Sequence, residues 1–238
     1  MMSETRARKT ACLEDLRRRV LTQALEPGAY LDEAQLAETY GMSRPPVREV
    51  LRQLAGEGYV ALQDGRGAQV APMSHKTLRN FFVAAPMIYA ATSRLAAQHA
   101  TQVQIMRLKD IQTLFRKAIR DGDAAERALA NDRFHAMIGE MADNEYLTPS
   151  LRRLLIDHTR ISMTFYDPRV PALAAQREIA ADQHDHFIDL IERGDADGAA
   201  ALAIDHWELS RSEIAQFVTP ASLDIPLGAD PTIAKGSS

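Results

Sequence analysis

Three histidines and an asparagine in the C-terminal half of this 238-residue chain are spaced for metal chemistry. Asn131 and His135 stand four residues apart, so on a helix they share one face. His184 and His206 fall on two later helical stretches, and Gly194-Asp195 between them can bend the chain back and bring their faces together. Three imidazoles and one oxygen donor, delivered by three helices, form a plausible bundle-core site for Zn²⁺, Mn²⁺ or Ni²⁺. Asp132 is rotated by roughly 100° from Asn131 and points off that face. His186 is likewise turned away. As bare residues, seven scattered histidines more often serve as surface or hydrogen-bonded core groups, so spacing alone leaves the metal open.

A second constellation lies near the N-terminus. Arg44, Arg48 and Arg52 repeat every four residues, opposite the apolar stripe Val47, Val50, Leu51 and Leu54. Such a face is either solvated or directed at an anionic partner. Arg44 and Arg48 are long enough to reach guanine edges or phosphates, and Ser43 with Pro45 and Pro46 would sit at the leading end of that helix. Proline costs little in a first turn, whose amides lack intrahelical partners.

The elements that must position these groups follow from periodicity. Leu13, Leu16, Val20, Leu21 and Leu25 predict a helix over 9–25, stopped by Glu26-Pro27-Gly28. Asp32 caps a second helix with Leu36, Ala37 and Tyr40 inward, ending at Gly41, and Ser43 caps the third. Tyr59–Leu62 and Ala68–Val70 flank Asp64-Gly65-Arg66-Gly67, a β-hairpin whose tip offers one cation, Arg66, beside Gly65. Two short helices, a tight Gly-Met-Ser link, an arginine-bearing helix and a hairpin make a winged helix-turn-helix. From Ser74 on, every segment has helical period, with breaks near 100–101, 121–123, 143–144, 167–171 and 194–195, giving a bundle of about six helices. The expected division is 1–72, 73–218 and a tail over 219–238 rich in proline and glycine.

Composition restricts the function. The chain is 46% hydrophobic and 25% charged, as globular proteins are. The single cysteine, Cys12, excludes an internal disulfide framework, and the first twenty residues are charged rather than apolar, which suits a cytoplasmic protein. No apolar run is long enough to cross a bilayer. The net charge of −4 is no bar to DNA binding, because residues 1–72 carry equal numbers of basic and acidic side chains and the acidic excess lies beyond them.

The N-terminal segment resembles the GntR family of regulators. The resemblance runs through Leu25-Glu-Pro-Gly-Ala-Tyr-Leu31, Leu36 to Leu54, Gly58-Tyr-Val60 and Arg66-Gly-Ala-Gln-Val70. It implies operator contacts by the groups matching Arg44, Arg48 and Gly65. Ala34 departs from it, standing where some members carry a DNA-contacting arginine. Residues 73–218 resemble the FCD ligand-binding domain of the FadR subfamily, through Phe134-His135, Ala142-Asp-Asn-Glu-Tyr-Leu147, His184, Ile191-Glu-Arg-Gly-Asp195 and His206. That resemblance implies metal ligation by His135, His184 and His206, with Asn131 where aspartate is usual. Where relatives carry Arg and Glu on the first helix of this domain, the chain has Ala85 and Tyr89.

The expectation is a mainly α regulator, repressor or activator and not an enzyme, reading a pseudo-palindromic operator as a homodimer. DNA would be contacted by Ser43, Arg44, Pro46, Arg48, Arg52, Gly65 and Arg66. A small effector, expected to be a carboxylate, would meet Tyr89, Arg94, Arg160 and Tyr166, since guanidinium groups pair well with carboxylates. A metal-dependent hydrolase or lyase is the alternative, although no His-Glu-x-x-His arrangement supplies a general base. A metal-free pocket in which the histidines bind the acid directly is the third reading.

Overall fold

The computed structural model describes residues 2–63, 67–165 and 172–218. Among them the element order is α1 (Met2–Leu21), β1 (Tyr30–Leu31), α2 (Glu33–Thr39), α3 (Arg44–Glu57), β2 (Val60–Gln63), β3 (Gly67–Val70), α4 (His75–His99), α5 (Gln102–Asp121), α6 (Ala124–Met141), α7 (Leu147–Phe165), α8 (Ala172–Glu192) and α9 (Ala196–Val218). The wing tip, with Gly65 and Arg66, lies outside the described residues, as do Tyr166 and the segment 219–238.

The N-terminal unit closes around Leu16, Val20, Leu36, Val47, Leu51, Leu54, Val60 and Val70, the apolar stripes of three helices and the inward residues of the hairpin. The sheet has three strands in the order β1-β3-β2, all antiparallel, rather than the two expected for the wing. The extended stretch after Gly28 supplies the third, pairing Tyr30 with Gln69 and Leu31 with Ala68. Gly67 permits this close approach: its φ is +83°, and a Cβ there would lie 2.8 Å from the Leu31 carbonyl oxygen.

Helix α1 differs from the expected 9–25 at both ends. It begins at Met2 and stops at Leu21, ahead of the Pro27-Gly28 turn, because Gln23 adopts φ +57° and its amide turns back to the Val20 carbonyl. Asp32 caps α2 as expected, accepting from the amides of Ala34 and Gln35 at 2.8 Å each. Ser43 occupies the corresponding position of α3 but makes no side-chain cap bond. The reason is covalent: a capping hydroxyl accepts from the second or third amide of a helix, and here those residues are Pro45 and Pro46.

The C-terminal unit is six helices, α4 to α9, around Phe81, Tyr89, Phe134, Ile138, Leu155, Phe187 and Trp207. Breaks at Thr101, Gly122, Asp143 and Gly194 coincide with the punctuation in the sequence. Thr101 and Gln104 form a reciprocal capping box on α5. Pro86 lies inside the continuous 25-residue α4.

The two units touch along α7. Leu21 and Tyr59 of the first pack on Leu129 and Ile156 of the second. Arg18 pairs with Glu126 at 2.7 Å, and the Gln23 amide donates to the Arg160 carbonyl. Gly58 ends α3 in a left-handed conformation and lets Arg153 lie against it, where an added Cβ would come within 2.4 Å of Arg153 Cδ.

Candidate functional site

The arginine face of α3 opens onto a cleft between α2, α3 and the sheet, lined by Arg44, Arg48, Arg52, Glu33, Gln63 and Gly67 among others. Val47, Val50, Leu51 and Leu54 are buried, which fixes the rotation of the helix and leaves all three arginines exposed. Pro46 is half-buried at its leading end, with the uncommitted Ser43 hydroxyl before it. Arg48 Nε bonds Glu33 Oε2 at 2.7 Å, a contact the spacing of residues gave no reason to expect. Arg44 and Arg52 make no ion pair among the described residues.

In the second unit the three histidines do converge. His135 comes from α6, His184 from α8 and His206 from α9, and one ligand atom of each lies within 4.8 Å of the others. Ring centroids are 5.0 to 5.3 Å apart. His184 is held flat against Phe134 at 3.9 Å. Burial removes the hydration a charged imidazolium needs, so His135 and His184 are held well below the usual imidazole range and His206 is pushed down to about 3. All three are neutral bases, the form that ligates a metal.

Tautomers are set from outside the triad. His184 Nδ1 faces Gln112 Oε1 at 3.1 Å, and His206 Nδ1 faces Gln183 Oε1 at 2.7 Å. The Gln112 amide is itself oriented, since its Nε2 donates to the Ala181 carbonyl at 2.8 Å. An amide oxygen only accepts, so each Nδ1 carries the proton and each Nε2 keeps its lone pair. His184 Nε2 is buried with no hydrogen-bond partner, and so is His135 Nε2. Two orphaned buried nitrogens facing a common point fit a bound cation. No spacing or motif singles out Gln112 or Gln183.

A fourth histidine was also missed. His158 of α7 is buried, and its Nδ1 is 2.5 Å from the Tyr89 hydroxyl. Desolvation pushes it down to about 4. It stands 5.8 Å from His135, outside the close triad. Two adjoining cavities share His158 and His206: one reaches Tyr89, Ser93 and Trp207, the other Asn131, Arg127, Ser162 and Arg177. Asn131 therefore faces the site. Asp132 turns away, accepting from Thr159 at 3.1 Å, with burial raising its carboxyl to about 6. His186 is exposed.

Two of the effector candidates are placed elsewhere. Arg160 is fully buried, but its guanidinium bonds the Ala71 carbonyl at 2.5 Å and Asp157 at 3.3 Å, so it is spent on joining the units. Arg94 pairs with Asp197 at 2.6 Å on the exterior. Helical rotation decides both, carrying them off the cavity face. Tyr89 does line the cavity.

Comparison with known proteins follows this division. Residues 9–70 match the bacterial regulatory proteins of the gntR family, and residues 86–209 match the FCD domain. The chain is 26% identical over 198 residues to the HTH-type transcriptional repressor RspR of Escherichia coli (strain K12), covering 83% of this chain and 85% of that one. It is 25% identical over 199 residues to the Nta operon transcriptional regulator of Aminobacter aminovorans, covering 84% and 90%. Among solved structures, E. coli McbR/YncC shares the fold with a TM-score of 0.74 at 19% identity, covering 88% of this chain and 98% of that one.

Proposed function

Because the chain belongs to the gntR family of bacterial regulators and carries an FCD domain, it is a transcription regulator, and we propose that a small carboxylate effector, held on a divalent metal in the C-terminal cavity, sets its affinity for operator DNA. The observation that carries the effector half is the pair of buried, unpartnered Nε2 atoms of His135 and His184 beside an oriented His206. His135, His184 and His206 would hold Zn²⁺, Mn²⁺ or Ni²⁺, with the Asn131 carbonyl as an uncharged oxygen donor. Bound there, the ion would act as a Lewis acid that accepts a carboxylate oxygen in an open position. The hydrolase or lyase alternative finds no support, since the relatives are regulators.

On the DNA side, α3 is the reading helix. Arg44 and Arg48 would reach base edges or phosphates, Arg52 and the free Ser43 hydroxyl the backbone, and the wing with Gly65 and Arg66 the minor groove. Pro46 starts the helix close to the duplex. Two-fold pairing of chains would match a pseudo-palindromic operator, and the exposed Val83 and Met87, four apart on α4, offer an apolar stripe for a homodimer. Among the described residues no helix is long and apolar enough to cross a membrane.

Helix α7 is the physical connection between the halves. One face puts His158 and Ser162 on the cavity, while the other puts Ile156 and Arg160 against the DNA-binding unit. Displacement of α7 by a ligand would change how that unit is held, which is the differential contact that allostery requires.

Anisotropy titration against the promoter beside the chain's own gene tests the whole reading, with and without Zn²⁺ and after chelation. A specific, salt-dependent complex whose affinity changes with metal and acid is expected. Less than about a tenth of an equivalent of metal after a Zn²⁺ or Mn²⁺ soak and dialysis would leave the metal-free reading in its place.

A further inference from the structure

The hydrogen bonds of the buried imidazoles divide them into two kinds. His184 and His206 each turn Nδ1 to a glutamine oxygen, which fixes the proton there and leaves the Nε2 lone pair for an ion. His158 has a different neighbour. Its Nδ1 is 2.5 Å from the Tyr89 hydroxyl, and among the described residues that hydroxyl bonds nothing else.

Burial decides which of the two donates. Tyr89 is buried, so its phenolic proton needs a partner within the protein, and His158 Nδ1 is the acceptor in reach. With Nδ1–H donating instead, the phenol proton would be left unpartnered in the interior. Desolvation also holds the phenol well above its usual range, which keeps that proton in place. His158 itself is neutral, pushed down to about 4, so its one ring proton sits on Nε2. The ring lines both cavities together with His206, 5.8 Å from His135 and outside the close cluster of the other three.

We infer that His158 is a hydrogen-bond donor to the effector and not a fourth metal ligand. Its Nε2–H meets one oxygen of a carboxylate whose other oxygen lies on the ion, and Tyr89 is the positioning residue that fixes the tautomer. The inference rests on the effector reading above and deepens it. The two cavities hold about 30 and 10 Å³ of free space, which suits one small carboxylate, the size of formate or acetate. An N–H facing an anion makes a charge-assisted bond, stronger than a neutral one. Because His158 stands on α7, that bond ties the ligand to the helix joining the two units.

Two measurements test the assignment. Long-range proton–nitrogen correlation spectra of the isotope-labelled, chelated full chain read each tautomer, with His158→Phe identifying the His158 signals. The proton should be on Nε2 in His158 and on Nδ1 in His184 and His206, and Tyr89→Phe should turn His158 into a mixture. A wild-type proton on His158 Nδ1 overturns the inference without any ligand present. Calorimetric titration of the Zn²⁺-loaded chain with formate and acetate reads the contact. His158→Phe should weaken acetate binding about tenfold or more, and His158→Gln, which keeps an N–H donor, should restore part of it. Zn²⁺ affinity, read by a competing chromophoric chelator, should stay within about twofold in both variants. Unchanged acetate binding in His158→Phe, or a tenfold loss of Zn²⁺ with it, overturns the donor role and leaves the carboxylate effector standing. If neither acid binds the wild-type chain, the effector reading itself fails and takes this contact with it.

Discussion

The guanidinium of Arg160 donates to the carbonyl of Ala71 at 2.5 Å, tying the middle of α7 to the chain as it leaves strand β3. The same residue accepts the Gln23 amide on its own carbonyl, just after α1. Two residues earlier on α7, His158 faces the cavity and bonds Tyr89. Ligand site and DNA-binding unit are thus separated by about half a helical turn of one rigid element.

Arg160→Leu should destabilise the protein by about 3 kcal/mol, because Asp157 is left buried with Arg153 as its remaining ion partner and the Ala71 carbonyl loses its donor. Urea denaturation measures this. A variant of unchanged stability that had lost acid binding would instead return Arg160 to the effector site.

In the chelated protein, stability should fall steeply on acidification below pH 6.5. The buried histidines have folded pKa values lowered to about 3 for His206 and about 4 for His158, with His135 and His184 lowered too. The unfolded chain therefore takes up protons first, and stability is lost from the unfolded value down to the folded ones. Asp132, raised to about 6, has the opposite sign, adding stability as pH falls from there towards 3.8. Four histidines outweigh one carboxyl, so melting temperatures between pH 7 and 5 should drop, and Zn²⁺ should raise them at each pH by binding the neutral imidazoles of the folded chain.

Gln112→Leu should weaken Zn²⁺ binding by roughly 10–100-fold without changing the ligand set, since it releases the His184 tautomer. Asn131→Asp should strengthen binding by about tenfold or more, by adding a charged oxygen ligand. Competition with a chromophoric chelator reads both; an unchanged affinity in Asn131→Asp would show that residue 131 does not reach the ion.

Glu33→Gln should raise DNA affinity several-fold, because it frees Arg48 from its 2.7 Å ion pair and removes a negative charge from the cleft facing phosphate. Arg44→Ala should lower it by about 1–3 kcal/mol. Anisotropy across a salt series separates the cases: Glu33→Gln acts on every sequence alike, whereas a base-reading Arg44 loses discrimination at one operator position.

Periodicity and punctuation alone determined where the helices and the hairpin lie, because burial of one face imposes a 3.6- or 2-residue repeat that any folded context must satisfy. They also put Asn131 and His135 on one face, while the resemblance to the FCD domain named His184 and His206 as their partners. Tertiary packing decided the rest. His158 has no spacing relative to the triad that a sequence could reveal; it enters because α7 packs on α4 and α6 with that side inward. Gln112 and Gln183 orient imidazoles across helix interfaces, and Arg160 is turned towards Ala71 rather than the cavity by the rotation of one helix. Local sequence sets which residues share a face, but the identity of what that face meets is a long-range property, fixed only when the helices close on one another.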